Sequence, residues 1–273
     1  SRRKKMDSTR EFFAHHQWKD VLGTSSVIRR VVAEGKTLAE MEDPVALIGE
    51  NGTGKSFFAQ CIHNGSPRAK KPYIVINAGT IAQQDAARVL FGSDDGAKPR
   101  MGLFELAGGG TIALQGLGDA SEAFFSCLRQ VLLQHSYFAV GGVTTIPFSA
   151  RLLALVTPEE RRRIPRDLWD QLSVFSLNLP LLKDRQEDVS TLFRFFLLRE
   201  SILMPPRTQK ELEEILSFYS WPANLISLSA VSKRYILLYQ QAMNPSPSAK
   251  QQILIRAIGE DELLSDIYRQ YPA

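Results

Sequence analysis

Short runs of residues that are apolar on both faces recur along the first two thirds of this chain. They stand at Val45–Ile48, Tyr73–Asn77, 110–114, Arg151–Val156 and 174–179. Runs of this kind mark strands buried on both sides of a sheet. Stretches with a 3.6-residue apolar period lie between them, at 25–38, 55–63, 81–90 and 121–134. Strand and helix alternating in this way predict an α/β fold: a parallel five-stranded sheet sandwiched by helices.

The rhythm changes near Leu182. Residues 188–203, 209–219 and 225–243 all have helical period and no strand signal, and Pro205-Pro206 and Trp221-Pro222 punctuate them. The predicted organisation is an N-terminal extension over 1–17, an α/β part over 18–181, a small all-α lid over 182–244, and a linker with a helical tail over 245–273. The extension is polar and expected to be loose, with one short amphipathic stretch over 11–18. The tail spans 249–271 and breaks at Gly259. Phe193, Phe195 and Phe196 are expected to pack in a core. No internal repeat is evident.

Composition narrows the classes. The chain has 273 residues, 44% of them apolar and 23% charged, which is ordinary for a globular protein. No apolar run reaches the length of a membrane span. The basic start, Ser-Arg-Arg-Lys-Lys, is followed by no apolar segment, so it does not read as a signal peptide; without an initiator Met it reads as the edge of a longer chain. Cys61 and Cys127 both fall in apolar helical patterns and read as buried thiols of a reducing, cytoplasmic protein. The four histidines (His15, His16, His63, His135) make no metal spacing with them. The net charge is +4. Basic clusters at 2–5, Lys70-Lys71 and 161–163 fit either solvated surface or contact with phosphates.

The candidate chemistry lies after the first strand. Gly49, Glu50, Asn51, Gly52, Thr53, Gly54, Lys55 and Ser56 satisfy G-x-x-x-x-G-K-[ST] at every fixed position. An apolar strand precedes them and a helical stretch follows, which is the context the motif needs. Such a loop turns backbone N–H groups inward around a phosphate, and the helix start adds partial positive charge. Lys55 is positioned to reach the outer phosphates, and Ser56 to hold Mg²⁺ through the nucleotide. Phe57 and Phe58 follow at once; shaping a base pocket and burial against the sheet are both open to them.

Other stretches carry a family resemblance. They include Ile62-His63-Asn64-Gly65-Ser66, Leu90-Phe91-Gly92, Gly102-Leu103-Phe104-Glu105-Leu106-Ala107, Gly109-Gly110-Thr111, Arg166-Asp167-Leu168, the run from Leu179 to Asp188, and Trp221-Pro222-Ala223-Asn224. In order and spacing the chain resembles the AAA+ domain of bacterial sigma-54-dependent enhancer-binding activators, from about Val21 to Leu238. The resemblance implies a P-loop NTPase of the AAA+ fold with a helical lid. Such domains form rings, usually hexamers, that remodel RNA polymerase holding sigma-54. It also implies that Val21, Leu22 and Gly23 form part of the base-binding wall, although a plain core turn fits them too. Arg185 and Asp188 match a stretch joining the two subdomains, where a salt bridge is expected.

The departures from the family are concentrated in its catalytic parts. Gln115 stands where the Walker B Asp is expected, and Gly116 where the Glu is expected. Gln carries no charge to hold a metal, and Gly has no group to polarise water. Loss of one acid/base group costs roughly 10²–10⁴ in rate. Pro165 and Gln171 occupy the positions of the two trans-acting arginines, and an arginine finger is worth roughly 10³–10⁵ in kcat. Arg163 and Arg166 are near but out of register. Ile226 replaces the lid arginine that senses the γ-phosphate, and Thr157 ends a sensor strand that normally continues to Asn. Asn77 matches the residue that switches the Walker B Glu; with no Glu present, a structural hydrogen bond is its other reading. The loop that engages sigma-54, Gly-Ala-Phe-Thr-Gly-Ala, is missing, with Gly96-Ala97 resembling its stump.

These replacements imply a pseudo-ATPase: a nucleotide-binding AAA+ module of a transcription regulator that keeps its phosphate cradle without efficient hydrolysis or direct sigma-54 remodelling. The expected ligand is ATP or ADP, with Mg²⁺ as a possible companion and a cyclic dinucleotide as another candidate. The expected partners are a second copy or a related AAA+ regulator, in a ring or dimer, and RNA polymerase or another transcription factor. DNA contact by this chain alone is not expected, because the tail lacks the usual helix-turn-helix pattern. The alternatives are a weak ATPase in a mixed ring with an intact partner, and a scaffold that ignores nucleotide.

Overall fold

The five apolar runs pair into one parallel sheet in the computed structural model, which describes residues 13–94 and 99–270. The elements are α1 (Ser26–Ala39), β1 (Val45–Ile48), α2 (Lys55–Asn64), β2 (Tyr73–Asn77), α3 (Ala86–Phe91), β3 (Gly92–Ser93), β4 (Arg100–Met101), α4 (Leu103–Ala107), β5 (Thr111–Gln115), α5 (Glu122–Gln134), β6 (Ser136–Phe138), β7 (Thr145–Pro147), β8 (Arg151–Val156), α6 (Pro158–Arg161), α7 (Arg166–Leu172) and β9 (Phe175–Asn178). The sheet order is β2-β5-β8-β1-β9. β1 lies between β8 and β9, with Val45 opposite Leu153 on one side and Phe175 on the other. Central strands must be apolar on both faces because helices cover both, and every residue of β8 is buried. β2 is an edge strand and shows the alternation that edges permit: Val75 is 51% exposed while its neighbours Ile74 and Ile76 are buried.

The chain divides into two compact units. One holds the residues up to Val21, Val31–Gly49 and Gly54–Leu179. The other holds Leu22–Arg30, Glu50–Thr53 and everything from Pro180 onward. The core of the first packs Ile74, Ile76, Ile112, Leu114, Leu152 and Val156 from the strands against Phe124, Leu128, Leu168 and Leu172 from α5 and α7. Arg151 is buried in this unit, and its guanidinium donates to the carbonyls of Leu38, Ala39 and Asp43. It thus satisfies carbonyls at the C-terminal end of α1 that have no helical partner.

Two short antiparallel hairpins, β3–β4 and β6–β7, lie outside the main sheet. They were not anticipated from the sequence, because strands of two or three residues show no period. Gly92, at φ +78°, makes the turn into β3; a Cβ there would collide with the carbonyl of Arg100. The stump anticipated at Gly96-Ala97 lies outside the described residues.

Of the N-terminal extension, residues 1–12 lie outside the described residues, and the described end is held in place. The backbone N–H groups of His15 and His16 donate to Gln60 Oε1, and Asn64 Nδ2 donates to the carbonyls of Ala14 and His16. These bonds strap residues 14–16 along α2.

The second unit is helical: α8 (Gln186–Arg199), α9 (Pro206–Phe218), α10 (Leu225–Gln241), α11 (Pro247–Ile258) and α12 (Glu260–Gln270). Trp221, Tyr235 and Phe193 centre one core, to which Leu254, Ile258 and Leu263 of the last two helices also belong. The linker expected between the lid and the tail at 249 is shorter than it reads, because Ser246 caps α11 and Pro247 opens it. Of the three phenylalanines expected in the core, Phe193 is buried and Phe195 is exposed. No described helix is long and apolar enough to cross a membrane.

Candidate functional site

The loop after β1 leaves the carboxyl end of a central strand, where open α/β sheets hold ligands. Gly49 and Gly54–Ser56 belong to the α/β unit, and Glu50–Thr53 to the helical one. Glycine is required at two of these positions. Gly52 has φ +77° and Gly54 has φ +102°, conformations that residues with a Cβ rarely adopt. A Cβ on Gly52 would also run into the carbonyl oxygen of Ala223. Thr53 is buried and closes its turn, its hydroxyl donating to Glu50 O at 2.8 Å. Lys55 Nζ donates to Gly49 O at 2.7 Å. Phe58 is buried, as the burial reading expects. Phe57 is half-buried and stacks on the His16 ring, with centroids 4.4 Å apart.

The end of β5 carries Gln115 and leads into Gly116, the two residues expected to stand at the Walker B positions, and the end of β2 carries the switch-like Asn77. Gln115 Nε2 donates to Ser56 Oγ at 2.9 Å. Gly116 has φ +63°, and a Cβ there would lie 2.5 Å from Asn77 Oδ1. A side chain at position 116 would therefore meet the Asn77 amide.

Three other positions expected to depart from the family pattern, Thr157, Pro165 and Gln171, lie in local helix structure. Thr157 forms a capping box at the start of α6: its hydroxyl accepts from Glu160 N, and Glu160 Oε2 accepts from Thr157 N. Pro165 is the residue before α7, and Gln171 Nε2 donates to the Asp167 carbonyl on the same helix. The neighbouring arginines differ from each other. Arg163 is engaged by Asp119 at 2.7 Å, while the Arg166 side chain is 94% exposed and only 3.9 Å from Asp170.

Within the helical unit one buried carboxylate organises the 21–25 stretch. Asp188 accepts from Thr24 N, Ser25 N and Ser25 Oγ, and pairs with Arg185 Nε at 2.9 Å. Arg185 Nη2 in turn donates to Leu22 O. Burial would raise the Asp188 carboxyl, but the hydrogen bonds from Ser25 and Thr24 and the charge of Arg185 outweigh it, and the group is held below its ordinary range. Gly23, at φ +135°, presses so close that a Cβ would sit 2.7 Å from the carboxylate carbon. The expected Arg185–Asp188 salt bridge is thus present and fully buried.

Asn224, which the sequence marks only as the end of the Trp221-Pro222-Ala223-Asn224 stretch, has a structural role of its own. It is buried at φ +52°; its Oδ1 accepts from Leu182 N and its Nδ2 donates to Asn51 O. Leu225 N adds a bond to Gly52 O. The signal available in the sequence was its residue type, since Asn tolerates positive φ at a helix start. Ile226 is 60% exposed, with Cγ1 placed 3.2 Å from where a Cβ on Gly52 would lie.

A phosphate-binding loop at the carboxyl end of a parallel five-stranded sheet, in a chain that also carries a helical unit, defines a P-loop protein of the AAA+ fold. The family model described as the sigma-54 interaction domain matches residues 21–178, more than half of the chain, and the chain belongs to that family. It is 34% identical over 238 residues to the Nif-specific regulatory protein of Sinorhizobium fredii, covering 81% of this chain and 39% of that protein. It is 31% identical over 260 residues to the DNA-binding transcriptional activator HyfR of Escherichia coli K12, covering 90% and 39%. The chain thus spans about two fifths of the length of these relatives. Among solved structures, NtrX from Brucella abortus in complex with ADP matches with a TM-score of 0.75 at 23% identity, covering 99% of this chain and 65% of that chain. At that identity the likeness speaks for the fold alone.

Proposed function

We propose that this chain is the nucleotide-binding AAA+ module of a bacterial transcription regulator, working by occupancy of its loop rather than by efficient hydrolysis. One observation supports the reading above others. The phosphate loop keeps Lys55, Ser56 and its positive-φ glycines, while Gln115 and Gly116 stand where the acids of a hydrolase belong. The residues present suit a phosphate chain: two positive-φ glycines, one ammonium and a helix start. ADP or ATP is the proposed ligand, in keeping with the ADP complex of the NtrX neighbour. Val21, Leu22, Gly23 and Phe57 are proposed to border the base. A cyclic dinucleotide is the other candidate for the same loop.

Two states, empty and filled, suffice for regulation if the ligand has different affinity for them. The proposed readers of those states are a second copy or a related AAA+ regulator, and through it RNA polymerase or another transcription factor. A mixed ring could supply arginines missing at Pro165 and Gln171, but not acids missing from this chain's own β5. On this reading residues 18–181 grip the phosphates and 182–244 form the lid.

Nucleotide titration by calorimetry, beside a phosphate-release assay and a Lys55→Ala control, tests the proposal. The expected result is saturable binding that Lys55→Ala removes, with no phosphate release above that control. Turnover by the purified chain at the rate of intact relatives would overturn it, as would failure to bind any nucleotide.

A further inference from the structure

We propose that this chain takes its nucleoside di- or triphosphate without a divalent cation, the Gln115 amide standing where the ion would act. The inference rests on the nucleotide-site reading above and deepens it.

Mg²⁺ demands a near-octahedral set of oxygens and gives up its waters reluctantly, so proteins hold it through one or two carboxylates together with substrate phosphates. In a P-loop the Ser hydroxyl oxygen lends a lone pair to the metal. A carboxylate beside that hydroxyl can only accept. It takes the hydroxyl proton, leaves the lone pairs for the ion and adds negative charge.

Gln115 does the reverse. Its Nε2 donates to Ser56 Oγ at 2.9 Å. An amide nitrogen offers only donors. The bond therefore occupies one of the hydroxyl oxygen's two lone pairs and brings the positive end of the amide dipole to the metal's place. Turning the amide over would present Oε1, which is still neutral. The next position offers nothing better, since Gly116 has no side chain and the neutral Asn77 amide fills the space beside it. Among the described residues no group of three or more His, Cys, Asp or Glu side chains could hold a metal. The donor set does not fit Mg²⁺. Phosphate charge is left to Lys55 and the loop N–H groups, and Ser56 Oγ already accepts a bond from a neutral donor.

A purely structural role for the bond, closing the loop against β5, predicts no particular response to metal. The metal-free site predicts a specific one. ATP and ADP are titrated into the wild-type chain, Gln115→Asp and Ser56→Ala, each in excess Mg²⁺ and in excess EDTA. Wild type is expected to bind with Kd values agreeing within about threefold in the two media, while Gln115→Asp gains about tenfold or more from Mg²⁺. Ser56→Ala is expected to weaken binding equally in both media. It guards the test should Gln115→Asp fold poorly. Wild-type binding that needs Mg²⁺, or a Ser56→Ala loss confined to the Mg²⁺ medium, sinks this inference and leaves the nucleotide site standing. Absence of binding in both media sinks the site reading and this inference together.

Discussion

Asn77 and Gly116 share one space: the Asn77 side-chain oxygen lies 2.5 Å from where a Cβ on Gly116 would stand. The backbone at Gly116 is also left-handed, at φ +63°. Placing an acid here is therefore more than adding a side chain. Gly116→Glu is expected to lose about 1–3 kcal/mol of stability through backbone strain and collision. Its phosphate release should stay at background, because Gln115 still carries no charge. Asn77→Ala in the same chain should recover part of the loss, so the two changes are non-additive. Urea midpoints of the two singles and the double provide the check; strict additivity would remove the shared-space account.

The Arg185–Asp188 pair sets a second expectation. Removing one partner leaves the other charge buried alone, which costs about 3–5 kcal/mol. Asp188→Asn and Arg185→Met should each fall in that range by chemical denaturation. The double variant Arg185→Met/Asp188→Leu should be milder than the sum of the two single losses. Gly23→Ala should be as damaging as either single change, since its Cβ meets the same carboxylate. Because the folded Asp188 pKa is depressed, its contribution is present above the unfolded value of 3.8 and is lost as pH falls below it.

His63 gives a pH signature at higher values. It is buried in α2, with Nδ1 2.8 Å from Thr111 Oγ1, and burial pulls its pKa down to about 4 from 6.5. Between those values the unfolded chain binds a proton that the folded chain refuses. Stability is therefore full above pH 6.5 and declines as pH falls toward 4, by at most about 3 kcal/mol from this group. His63→Gln should flatten that part of the stability–pH curve. An unchanged slope in the variant would assign it to other groups.

The two thiols should be silent until the chain opens. Burial pushes Cys61 up to about 12 and Cys127 up to about 11. The thiolate is the reactive form, so alkylation by iodoacetamide near pH 8 should be slow in the native protein. Its rate should rise through the denaturation transition. Fast labelling of either residue under native conditions would contradict the burial described here.

Much of this arrangement was legible in the chain itself, for physical reasons. Val45–Ile48 and Arg151–Val156 announced themselves because central strands need apolar residues on both faces. The phosphate loop was legible because few residue types permit its backbone. The order β2-β5-β8-β1-β9 was not legible, since pairing between strands distant in sequence leaves no local trace. Contacts of the same kind were also hidden: Gln115 meets Ser56 across 59 positions, and Asp188 meets Thr24 across 164. The residues at issue had been singled out one by one. What the sequence withheld was that the Gln115 amide touches the hydroxyl at 56, and that the Asn77 amide stands where a Cβ at 116 would go.

The final two helices bear on how this protein should be handled. Leu254 and Ile258 complete the interior that Trp221 and Tyr235 begin. A fragment trimmed near residue 244 would present raw oily surface to solvent, and its clumping could pass for genuine self-assembly. Experiments on rings or dimers therefore belong on a chain that retains α11 and α12.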